Sequence, residues 1–441
     1  MPVTVGGKIV ERLLVVGYGV TGRAVAQFCV RRGVSFSLTD AGRLAPADEA
    51  WLREHARAVE TGGHTLGLLG DVDAVIATPG APAELGLLAE ARRRGVPVWS
   101  ELDLASTVSG ERRLIAVTGT NGKSTTVSLI GALLARAGVS NVVAGNIGLP
   151  FLDVADAALW DVAVLEVSSF QLEQSALFHP CVGALLNLTP NHLERHGSMA
   201  AYTAAKLRLF ARQDAADAAV LPADLAGRVD HGKGRLLVFD GPMPPLPQGS
   251  AEVGEVRRLN LAAAVTVCRE IAPGFDATWC SVGELRDALY LPHRQEEVGS
   301  VGGVRLVNDS KATSPAATVA ALRSTREPTV LLLGGRSKRG GYDELARFLA
   351  ASPPRAIVVY GEARDEIAAH LAAERVGHVV VGGFEAAVAA GLAAARPGDV
   401  LLLSPACSSF DQFKNYEERG DAFRRLAQAS PGFRPPAVAD T

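Results

Sequence analysis

The chain has 441 residues, of which 48% are hydrophobic and 21% charged, and we expect it to form roughly two to four domains. Its formal net charge of −3 gives no electrostatic reason to expect binding to nucleic acid or to an anionic membrane. The five cysteines are scattered without C-x-x-C spacing, which indicates neither a disulfide framework nor a zinc site. No apolar run is long enough to span a bilayer, and the amino terminus lacks a secretory signal pattern. We therefore expect a cytoplasmic protein without membrane insertion.

Lysine is scarce in this chain. Only seven of the 44 basic residues are lysines, namely Lys8, Lys123, Lys206, Lys233, Lys311, Lys338 and Lys414. A chain that uses arginine as its general surface cation keeps lysine mainly where a compact or reactive amine is needed. Five of the seven fall in motifs that stand out on other grounds, although chance in an arginine-biased sequence is the alternative explanation.

The amino-terminal part begins with a β-α-β pattern around a glycine-rich loop. An apolar strand leads into Gly17-Tyr-Gly19-Val-Thr-Gly22, a helix pattern runs to Gly33, and a strand at Val34–Leu38 is followed by Asp40. This pattern is typical of dinucleotide binding, but the same loop can equally hold the diphosphate and sugar of another nucleotide. Later strands end in Thr78-Pro-Gly80 and in Ser100-Glu101, which we expect at the carboxyl edge of a parallel sheet, where ligands bind.

A second glycine loop, Gly119-Thr120-Asn121-Gly122-Lys123-Ser124-Thr125, lies between an apolar strand at Leu114–Val117 and a helix pattern at Thr125–Ala137. Strand, glycine loop and helix predict a phosphate cradle, in which backbone N–H groups and the helix N-terminus face an anion. Lys123 can reach the outer phosphates, and Ser124 or Thr125 can hold Mg²⁺. Val117 stands where a standard Walker A motif has its first glycine. The alternative is a tight turn without a ligand.

Polar residues in the following segment suggest a metal site. Glu166 ends a buried strand downstream of the phosphate loop, where a magnesium ligand is expected, although a solvated strand end is the alternative. His192, Glu194 and His196 are close in sequence, but they lack the spacing of a zinc site. A helix pattern at Met199–Phe210 carries Lys206, and an alanine-rich helix at Glu255–Ile271 contains Asn260.

The carboxyl-terminal part again alternates strands and helices. It opens with a glycine-rich hairpin near Gly299–Gly303, and Ser314 with Pro315 forms a helix start after the polar segment Asn308–Thr313. Two further strands end in polar loops at 334–338 and 404–416. Serine and lysine at the edge of a Rossmann-like sheet suggest a small molecule that carries carboxylates, and ordinary loop polarity is the alternative.

Taken together, these motifs resemble those of the Mur ligases. The phosphate loop alone is similar to that of Mur ligases and of folylpolyglutamate synthetases, and the amino-terminal nucleotide-like domain disfavours the latter. The likeness to the Mur ligase branch that adds D-glutamate rests on four segments, Gly17–Gly22, Glu166–Glu173, Asn308–Thr313 and Ser404–Tyr416. The resemblance implies an α/β protein of three domains, each with a mostly parallel sheet flanked by helices. They are a Rossmann-like UDP-sugar-binding domain over 1–108, a P-loop ATPase domain over 109–295, and a Rossmann-like amino-acid-binding domain over 296–441.

The resemblance also implies the reaction. ATP phosphorylates the carboxylate of UDP-N-acetylmuramoyl-L-alanine, and D-glutamate attacks the acyl phosphate, in the cytoplasmic synthesis of peptidoglycan precursors. The implied cofactors are ATP and two Mg²⁺ ions, and the implied partners are small-molecule substrates, with the protein acting as a monomer. Cell wall biogenesis, cell shape, cell cycle and cell division are the processes that such an enzyme serves.

Site residues follow from the matching motifs. For ATP they are Gly119, Thr120, Asn121, Gly122, Lys123, Ser124, Thr125, Asn260, Arg294, Asp309 and Lys311. For catalysis they are Lys123, Glu166, His192 and Lys206, and for metal Ser124, Glu166, His192 and, if carbamylated, Lys206. For the UDP-substrate they are Gly19, Thr21, Asp40, Gly80, Asn146, Ser168 and Gln171, and for D-glutamate Thr313, Lys338, Ser409 and Tyr416. Val256-Arg257 stand where the family often has His-Asn.

Other functional classes explain less of the sequence. A nicotinamide-dependent oxidoreductase would use the first glycine loop and Asp40 but would leave the phosphate loop, Glu166 and Lys206 without a role. A nucleotide-dependent switch would leave the carboxyl-terminal lysine and serine loops unexplained. Addition of a different amino acid stays open, although Lys338 argues against a diamino acid because its distal amine would face a lysine.

Overall fold

The computed structural model describes residues 3–157, 159–241, 245–251, 253–337 and 342–436. The chain divides into two compact units, and each is assembled from several stretches of sequence. The first unit consists of Met1–Asn187, Thr203–Gln248 and Leu259–Ser281, and the second of Leu188–Tyr202, Gly249–Arg258 and Val282–Thr441.

The amino-terminal part of the first unit is a five-stranded parallel sheet with a separate hairpin of β1 and β2. Its strands are β1 (Val3–Val5), β2 (Lys8–Val10), β3 (Arg12–Val16), β4 (Ser35–Asp40), β5 (Ala58–Thr61), β6 (Ala74–Ala77) and β7 (Val98–Trp99). Its helices are α1 (Val20–Arg32), α2 (Pro46–His55), α3 (Gly86–Arg93) and α4 (Glu101–Val108), with a 3-10 helix at Leu66–Leu69. In the order β5-β4-β3-β6-β7 the chain moves to one side of β3 and then to the other, so the loops after β3 and β6 lie at the switch point of the sheet, where open α/β sheets commonly bind ligands.

The central part has a six-stranded, fully parallel sheet in the order β13-β12-β11-β8-β10-β9. These strands are β8 (Arg113–Thr118), β9 (Asn141–Gly145), β10 (Val162–Glu166), β11 (Val182–Leu185), β12 (Ala218–Leu221) and β13 (Arg235–Val238). The helices between this sheet and the next are α5 (Lys123–Arg136), α6 (Phe151–Val154), α7 (Ser169–Glu173), α8 (Leu193–His196), α9 (Met199–Leu207), α10 (Ala223–Ala226), α11 (Glu255–Ile271) and α12 (Arg286–Leu289), with 3-10 helices at Arg208–Phe210 and Ala277–Trp279. Of these, α8, α12 and the first turns of α9 and α11 belong to the second unit. Every residue of β10 is buried, which explains its continuous apolar sequence before Glu166.

The second unit contains a seven-stranded mixed sheet in the order β18-β17-β16-β19-β15-β14-β20. Its strands are β14 (Glu296–Val301), β15 (Val304–Asn308), β16 (Thr329–Gly334), β17 (Ala356–Tyr360), β18 (Val379–Val380), β19 (Val400–Leu403) and β20 (Phe433–Arg434). Its helices are α13 (Pro315–Ser324), α14 (Tyr342–Ala351), α15 (Arg364–Ala373), α16 (Phe384–Ala394) and α17 (Tyr416–Ala429).

Side-chain alternation along the strands builds one core on each face of this sheet. Leu331 and Leu333 of β16 pack in one core, while Val330 and Leu332 pack in the core on the opposite face. The α/β fold with mostly parallel sheets flanked by helices is thus confirmed. The predicted bounds of the three domains stay a prediction.

Helix α4 ties the amino-terminal sheet to the central sheet through two buried carboxylates. Asp103 accepts hydrogen bonds from the backbone N–H groups of Ala176, Leu177 and Phe178, at 2.8–3.0 Å, and from the Ser175 hydroxyl at 2.8 Å. Glu101 accepts one from Leu152 N–H at 2.7 Å. The side chains at the end of β7 therefore serve the fold, whereas the sequence suggested that this loop bears ligand-binding groups.

Candidate active site

The phosphate loop has the predicted geometry of strand β8, a glycine loop and helix α5. Gly119 and Gly122 have φ angles of 150° and 85°, which side-chain-bearing residues rarely adopt. A Cβ atom on Gly122 would collide with the Asn260 side-chain oxygen, and one on Gly119 would lie 3.1 Å from Leu186 Cβ. Both glycines are therefore required for the loop to pack against its neighbours. The strand, loop and helix predicted here are confirmed, with α5 beginning at Lys123.

Asn187, which the sequence analysis did not single out, holds the phosphate loop from the end of the neighbouring strand. Its side-chain oxygen accepts from Asn121 N–H at 2.9 Å, and its amide donates to the Asn121 carbonyl at 3.1 Å. The Asn187 carbonyl accepts from Thr120 N–H at 3.1 Å. Asn187 directly follows Leu186 and the apolar strand Val182–Leu185, and this position was the sequence signal for a polar group at the end of a strand.

Two lysines converge on the same loop. The Lys123 ammonium donates to the carbonyls of Gly119 and Thr120, both at 3.0 Å. Lys206 is 2% exposed, and its amine donates to the Gly119 carbonyl at 2.9 Å and to the Thr118 hydroxyl at 3.3 Å. Burial lowers the pKa of Lys206 well below its usual value, the charge of Lys123 lowers it further, and Glu166 opposes the shift. The predicted special lysine thus lies beside the phosphate loop.

Glu166 ends β10, directly beside β8, and its carboxylate is buried. One carboxylate oxygen accepts from the Asn146 amide at 2.8 Å, and the Asn146 N–H donates to the Glu166 carbonyl at 2.8 Å. The structure therefore places Asn146, predicted for the UDP-substrate, against the predicted metal ligand. The hydroxyls of Ser124 and Thr125 are buried in the first turn of α5.

Asn260 lies in α11 of the first unit, where it is buried against Gly122. It therefore belongs to the wall of the phosphate loop. Among the ATP residues predicted from the sequence, Gly119 to Thr125 and Asn260 come together here.

In the amino-terminal glycine loop, two of the three glycines leave no space for a side chain and the third does. Cβ atoms at Gly17 and Gly22 would collide with Thr78 and with the Gly17 carbonyl, whereas Gly19 has no atom within 4 Å of a Cβ position. The Asp40 carboxylate accepts from the N–H groups of Tyr18 at 2.6 Å and Gly42 at 2.7 Å. Asp40 therefore holds this loop in place.

The other UDP-substrate residues have two kinds of environment. Thr21 lies in the first turn of α1, and Gly80 is exposed in the loop after β6. Ser168 and Gln171 form a reciprocal cap at the start of α7, with the Ser168 hydroxyl 2.9 Å from the Gln171 side-chain oxygen. The spacing Ser-x-x-Gln is a helix-start signal that could have predicted this.

In the second unit, the carboxyl ends of β15, β19 and β16 are adjacent. Asp309, after β15, accepts from the Ser404 hydroxyl, after β19, at 2.9 Å and from Gln295 N–H at 3.2 Å. Burial raises the pKa of Asp309 to about 7, while Ser404 and the charges of Arg294 and Arg257 oppose that shift. The predicted residues Asp309 and Arg294 are therefore electrostatic neighbours.

Arg257 adds a second guanidinium to this group. It stacks on the Tyr290 ring, with its central carbon 4.4 Å from the ring centroid. Burial lowers the pKa of Arg257, Arg294 adds to that effect, and Tyr290 and Asp309 oppose it. In the sequence, Arg257 stands out only as a departure from the family pattern.

Thr313, Ser409 and Tyr416, three of the four residues predicted for D-glutamate, lie in or directly after the loops at the same sheet edge. The Lys311 ammonium is 5.3 Å from the centroid of the Tyr416 ring, and Tyr416 begins α17. Ser409 is buried, and Thr313 lies just before the helix cap Ser314. Lys338 lies outside the described residues. His192, predicted as a metal ligand, is in the Leu188–Tyr202 stretch of the second unit with a left-handed φ of 55°.

Three family models match successive parts of the chain. They are described as the Mur ligase MurD-like N-terminal domain over residues 11–100, the Mur ligase middle domain over 117–231, and the Mur ligase glutamate ligase domain over 293–407. A protein of Pelotomaculum thermopropionicum named UDP-N-acetylmuramoylalanine–D-glutamate ligase is 39% identical, over 94% of this chain and 97% of that protein. A Salinibacter ruber protein of the same name is 38% identical, over 95% and 97%. The chain belongs to the Mur ligase family.

Solved Mur ligase structures share the fold. The MurF ligase of Thermotoga maritima, solved in complex with ADP, matches with a TM-score of 0.57 and 17% identity over 90% of this chain and 96% of that one. The UDP-N-acetylmuramate-alanine ligase MurC of the same organism matches with a TM-score of 0.54 and 18% identity, over 95% and 99%. At this level of identity the likeness concerns the fold alone.

In this Mur ligase, the candidate metal ligands near the phosphate loop, Ser124 and Glu166, offer oxygen atoms. In the described ranges, no three His, Cys, Asp or Glu side chains form a metal-binding group. A buried hydroxyl and a buried carboxylate, those of Ser124 and Glu166, are the hard ligands that Mg²⁺ prefers when substrate phosphates complete its coordination. The donor set therefore fits magnesium. No helix in the described part of the chain has the length and apolar character to cross a membrane.

Proposed function

We propose that this Mur ligase joins D-glutamate to UDP-N-acetylmuramoyl-L-alanine with the consumption of ATP. The observation that carries the proposal is the group formed by the phosphate loop, Lys123, Glu166 and the buried Lys206. The names of relatives that match nearly their full length support the choice of substrates.

The chain's own groups account for the phosphoryl transfer. Backbone N–H groups of the loop and the first turn of α5 surround the ATP phosphates, and Lys123 turns from the loop carbonyls to the outer phosphates. The γ-phosphoryl group passes to an oxygen of the substrate carboxylate, and ADP is released. The amine of D-glutamate then attacks the acyl phosphate, and an amide and inorganic phosphate form with loss of a proton from the amine.

We propose that Ser124, Glu166, His192 and carbamylated Lys206 help to hold two Mg²⁺ ions. Magnesium supplies positive charge that reduces the repulsion between the phosphates and the acceptor carboxylate. Glu166 is oriented for this role by the Asn146 amide.

Lys206 is suited to carbamylation because burial and the charge of Lys123 lower the pKa of its amine, which favours the neutral form. A neutral amine adds to CO₂ and loses one proton, which gives a carbamate with a negative charge on a long side chain. In this state the residue changes from a cation to an oxygen ligand, a change that arginine cannot undergo. The alternative is that Lys206 acts only as a hydrogen-bond donor to the loop.

We assign the incoming amino acid to the loops of the second unit. Thr313, Ser409 and Lys338 provide hydroxyls and an ammonium for the two carboxylates, and Tyr416 provides an aromatic wall. Arg294, Asp309 and Lys311 complete the ATP site in this proposal. The UDP-substrate is assigned to the loops with Gly19, Thr21, Asp40 and Gly80, and to Asn146, Ser168 and Gln171.

In this role the protein acts as a cytoplasmic monomer on small-molecule substrates. The domains proposed for the UDP-sugar, ATP and the amino acid span 1–108, 109–295 and 296–441. The product is a peptidoglycan precursor, so the activity serves cell wall biogenesis, cell shape, the cell cycle and cell division.

The experiment is phosphate release from ATP in the presence of Mg²⁺ and UDP-N-acetylmuramoyl-L-alanine, with D-glutamate, L-glutamate, meso-diaminopimelate or no amino acid. We expect release that depends on both the UDP-substrate and D-glutamate. Removal of Mg²⁺ with a chelator should abolish it. Turnover with only another amino acid would refute the specificity, and absence of turnover with every amino acid would refute the ligase proposal.

A further inference from the structure

Arg419, on helix α17, is a fully buried arginine that the proposed mechanism does not use. A buried charge normally has a charged partner because transfer of an ion out of water is unfavourable. Within the described residues, no carboxylate lies within ion-pair distance of Arg419; it is absent from every ion pair found there. Its guanidinium is instead surrounded by neutral oxygen atoms.

Five hydrogen bonds satisfy the guanidinium. Its Nε donates to the Ser310 hydroxyl at 2.9 Å, and one terminal nitrogen donates to the carbonyls of Ser310 at 2.8 Å and Cys407 at 3.1 Å. The other terminal nitrogen donates to the carbonyls of Gly334 at 3.4 Å and Ser408 at 3.3 Å. These acceptors belong to three different loops.

Those three loops follow β15, β16 and β19, whose carboxyl ends are adjacent. The first carries Thr313, and the third carries Ser409 and leads to Tyr416 at the start of α17. Lys338, also assigned to the amino acid, follows the second in sequence and lies outside the described residues. Ser310 also links the first loop to the third, because its hydroxyl donates to the Tyr416 carbonyl at 2.8 Å. One planar group therefore fixes the spacing of all three loops.

We propose that Arg419 is the positioning residue of the amino-acid site, and this inference rests on the function proposed above. Its five donors have a fixed planar arrangement, so the loops can approach one another in only one way. Its charge has no counter-carboxylate among the described residues, so it adds a positive potential at the sheet edge that receives a dicarboxylate in the proposed function. Arg419 acts through the loops and does not touch the substrate.

The test is a comparison of Arg419→Lys with Arg355→Lys in steady-state kinetics, with each of the three substrates varied in turn. Lysine keeps the charge but offers its donors from a single atom, so the loops lose their fixed spacing. Arg355 is a suitable control because it forms an ion pair with Asp399 at the opposite edge of the same sheet.

For Arg419→Lys we expect the KM for D-glutamate to rise by about 10-fold to 100-fold, as for a displacement of the binding groups on the order of 1 Å. The KM values for ATP and the UDP-substrate should change by less than about threefold, and a single turnover without amino acid should still release ADP. Arg355→Lys should leave all three KM values within about twofold.

Ser310→Ala is a milder second variant, because it removes only the hydroxyl between Arg419 and Tyr416. We expect a selective rise in the KM for D-glutamate of about threefold to tenfold, even if Arg419→Lys does not fold. Equal changes in all three KM values, a fall in kcat alone, or no change in either variant would overturn the proposal. Wild-type enzyme that turns over without D-glutamate would instead refute the proposed function, so the two failures are distinguishable.

Discussion

At the residue scale, Lys206 is the side chain with the most informative surroundings. It is buried, donates to the phosphate loop, and has a pKa lowered mainly by burial. Its motif predicted a special role, and the structure adds the burial and the charge of Lys123 that favour a neutral amine, while Glu166 opposes that shift.

We predict that Lys206→Arg lowers kcat at least about 100-fold, because arginine can donate hydrogen bonds but cannot form a carbamate. The measurement is phosphate release at saturating concentrations of all substrates. Lys233→Arg, which changes an exposed lysine, is the matched control and should retain full activity. Activity of Lys206→Arg close to the wild-type value would show that Lys206 is only a hydrogen-bond donor.

Residues carried by contiguous motifs could be placed from the sequence, while residues that act across strands could not. Lys123, Ser124 and Glu166 were predicted to lie near a phosphate site because each directly follows a buried strand or glycine loop. Arg257 gave no such signal, and the polar position of Asn187 after an apolar strand did not identify the loop that it contacts. Asn187 contacts the loop from a neighbouring strand, and Arg257 becomes significant only through Tyr290, Arg294 and Asp309.

At the element scale, the phosphate loop joins β8 to α5 through two glycines with positive φ angles. Gly122 is constrained twice, because its φ is left-handed and because its Cβ position is filled by Asn260. Gly138, just after the same helix, has a φ of 76° and no atom within 4 Å of its Cβ position. A comparison of Gly122 with Gly138 therefore separates the cost of a left-handed backbone from the cost of a steric collision.

We predict that Gly138→Ala lowers the free energy of unfolding by about 1 kcal/mol, because only the left-handed conformation is penalised. Gly122→Ala should lower it by about 3 kcal/mol, since the collision with Asn260 adds to that penalty. It should also raise the KM for ATP about 10-fold or more, whereas Gly138→Ala should not. Denaturant unfolding and ATP titration measure both effects, and equal destabilisation of the two variants would contradict the steric argument.

The elements themselves were largely predictable, because apolar strands and helix caps are local signals. The helix Glu255–Ile271 has the predicted bounds. The end of β7 was interpreted differently, since a serine followed by a glutamate suggests an exposed loop. Ser100 instead caps α4 together with Asp103. Glu101 is buried and accepts a hydrogen bond from Leu152, a residue so distant in sequence that no local signal indicates the contact.

At the scale of the whole molecule, the buried carboxyl of Glu101 in α4 makes the stability of the first unit depend on pH. Burial raises the pKa of Glu101 to about 7, and the charges of Asp153 and Asp103 add to the shift. In the unfolded chain this carboxyl has its ordinary pKa of 4.5. The folded state therefore holds an additional proton between these values, and folding becomes less favourable as the pH rises from 4.5 to about 7.

We predict that Glu101→Gln removes this contribution. The free energy of unfolding of the variant relative to wild type should increase by about 3 kcal/mol between pH 5 and pH 8, since each pKa unit corresponds to about 1.4 kcal/mol. The measurement is denaturant unfolding across that range. Glu111→Gln, at an exposed position beyond the same helix, serves as the control. Parallel curves for Glu101→Gln and wild type would refute the prediction.

The two compact units are interleaved in the sequence, and the chain passes between them five times, at 187/188, 202/203, 248/249, 258/259 and 281/282. A cut at any single peptide bond therefore cannot deliver both units whole. A gene fragment that begins at Val282 lacks Leu188–Tyr202 and Gly249–Arg258, which complete the second unit. If recombination between two Mur ligases exchanges only the carboxyl-terminal part, the second unit of the product contains segments from both parents. To obtain the whole second unit from one parent, the three segments Leu188–Tyr202, Gly249–Arg258 and Val282–Thr441 must be exchanged together.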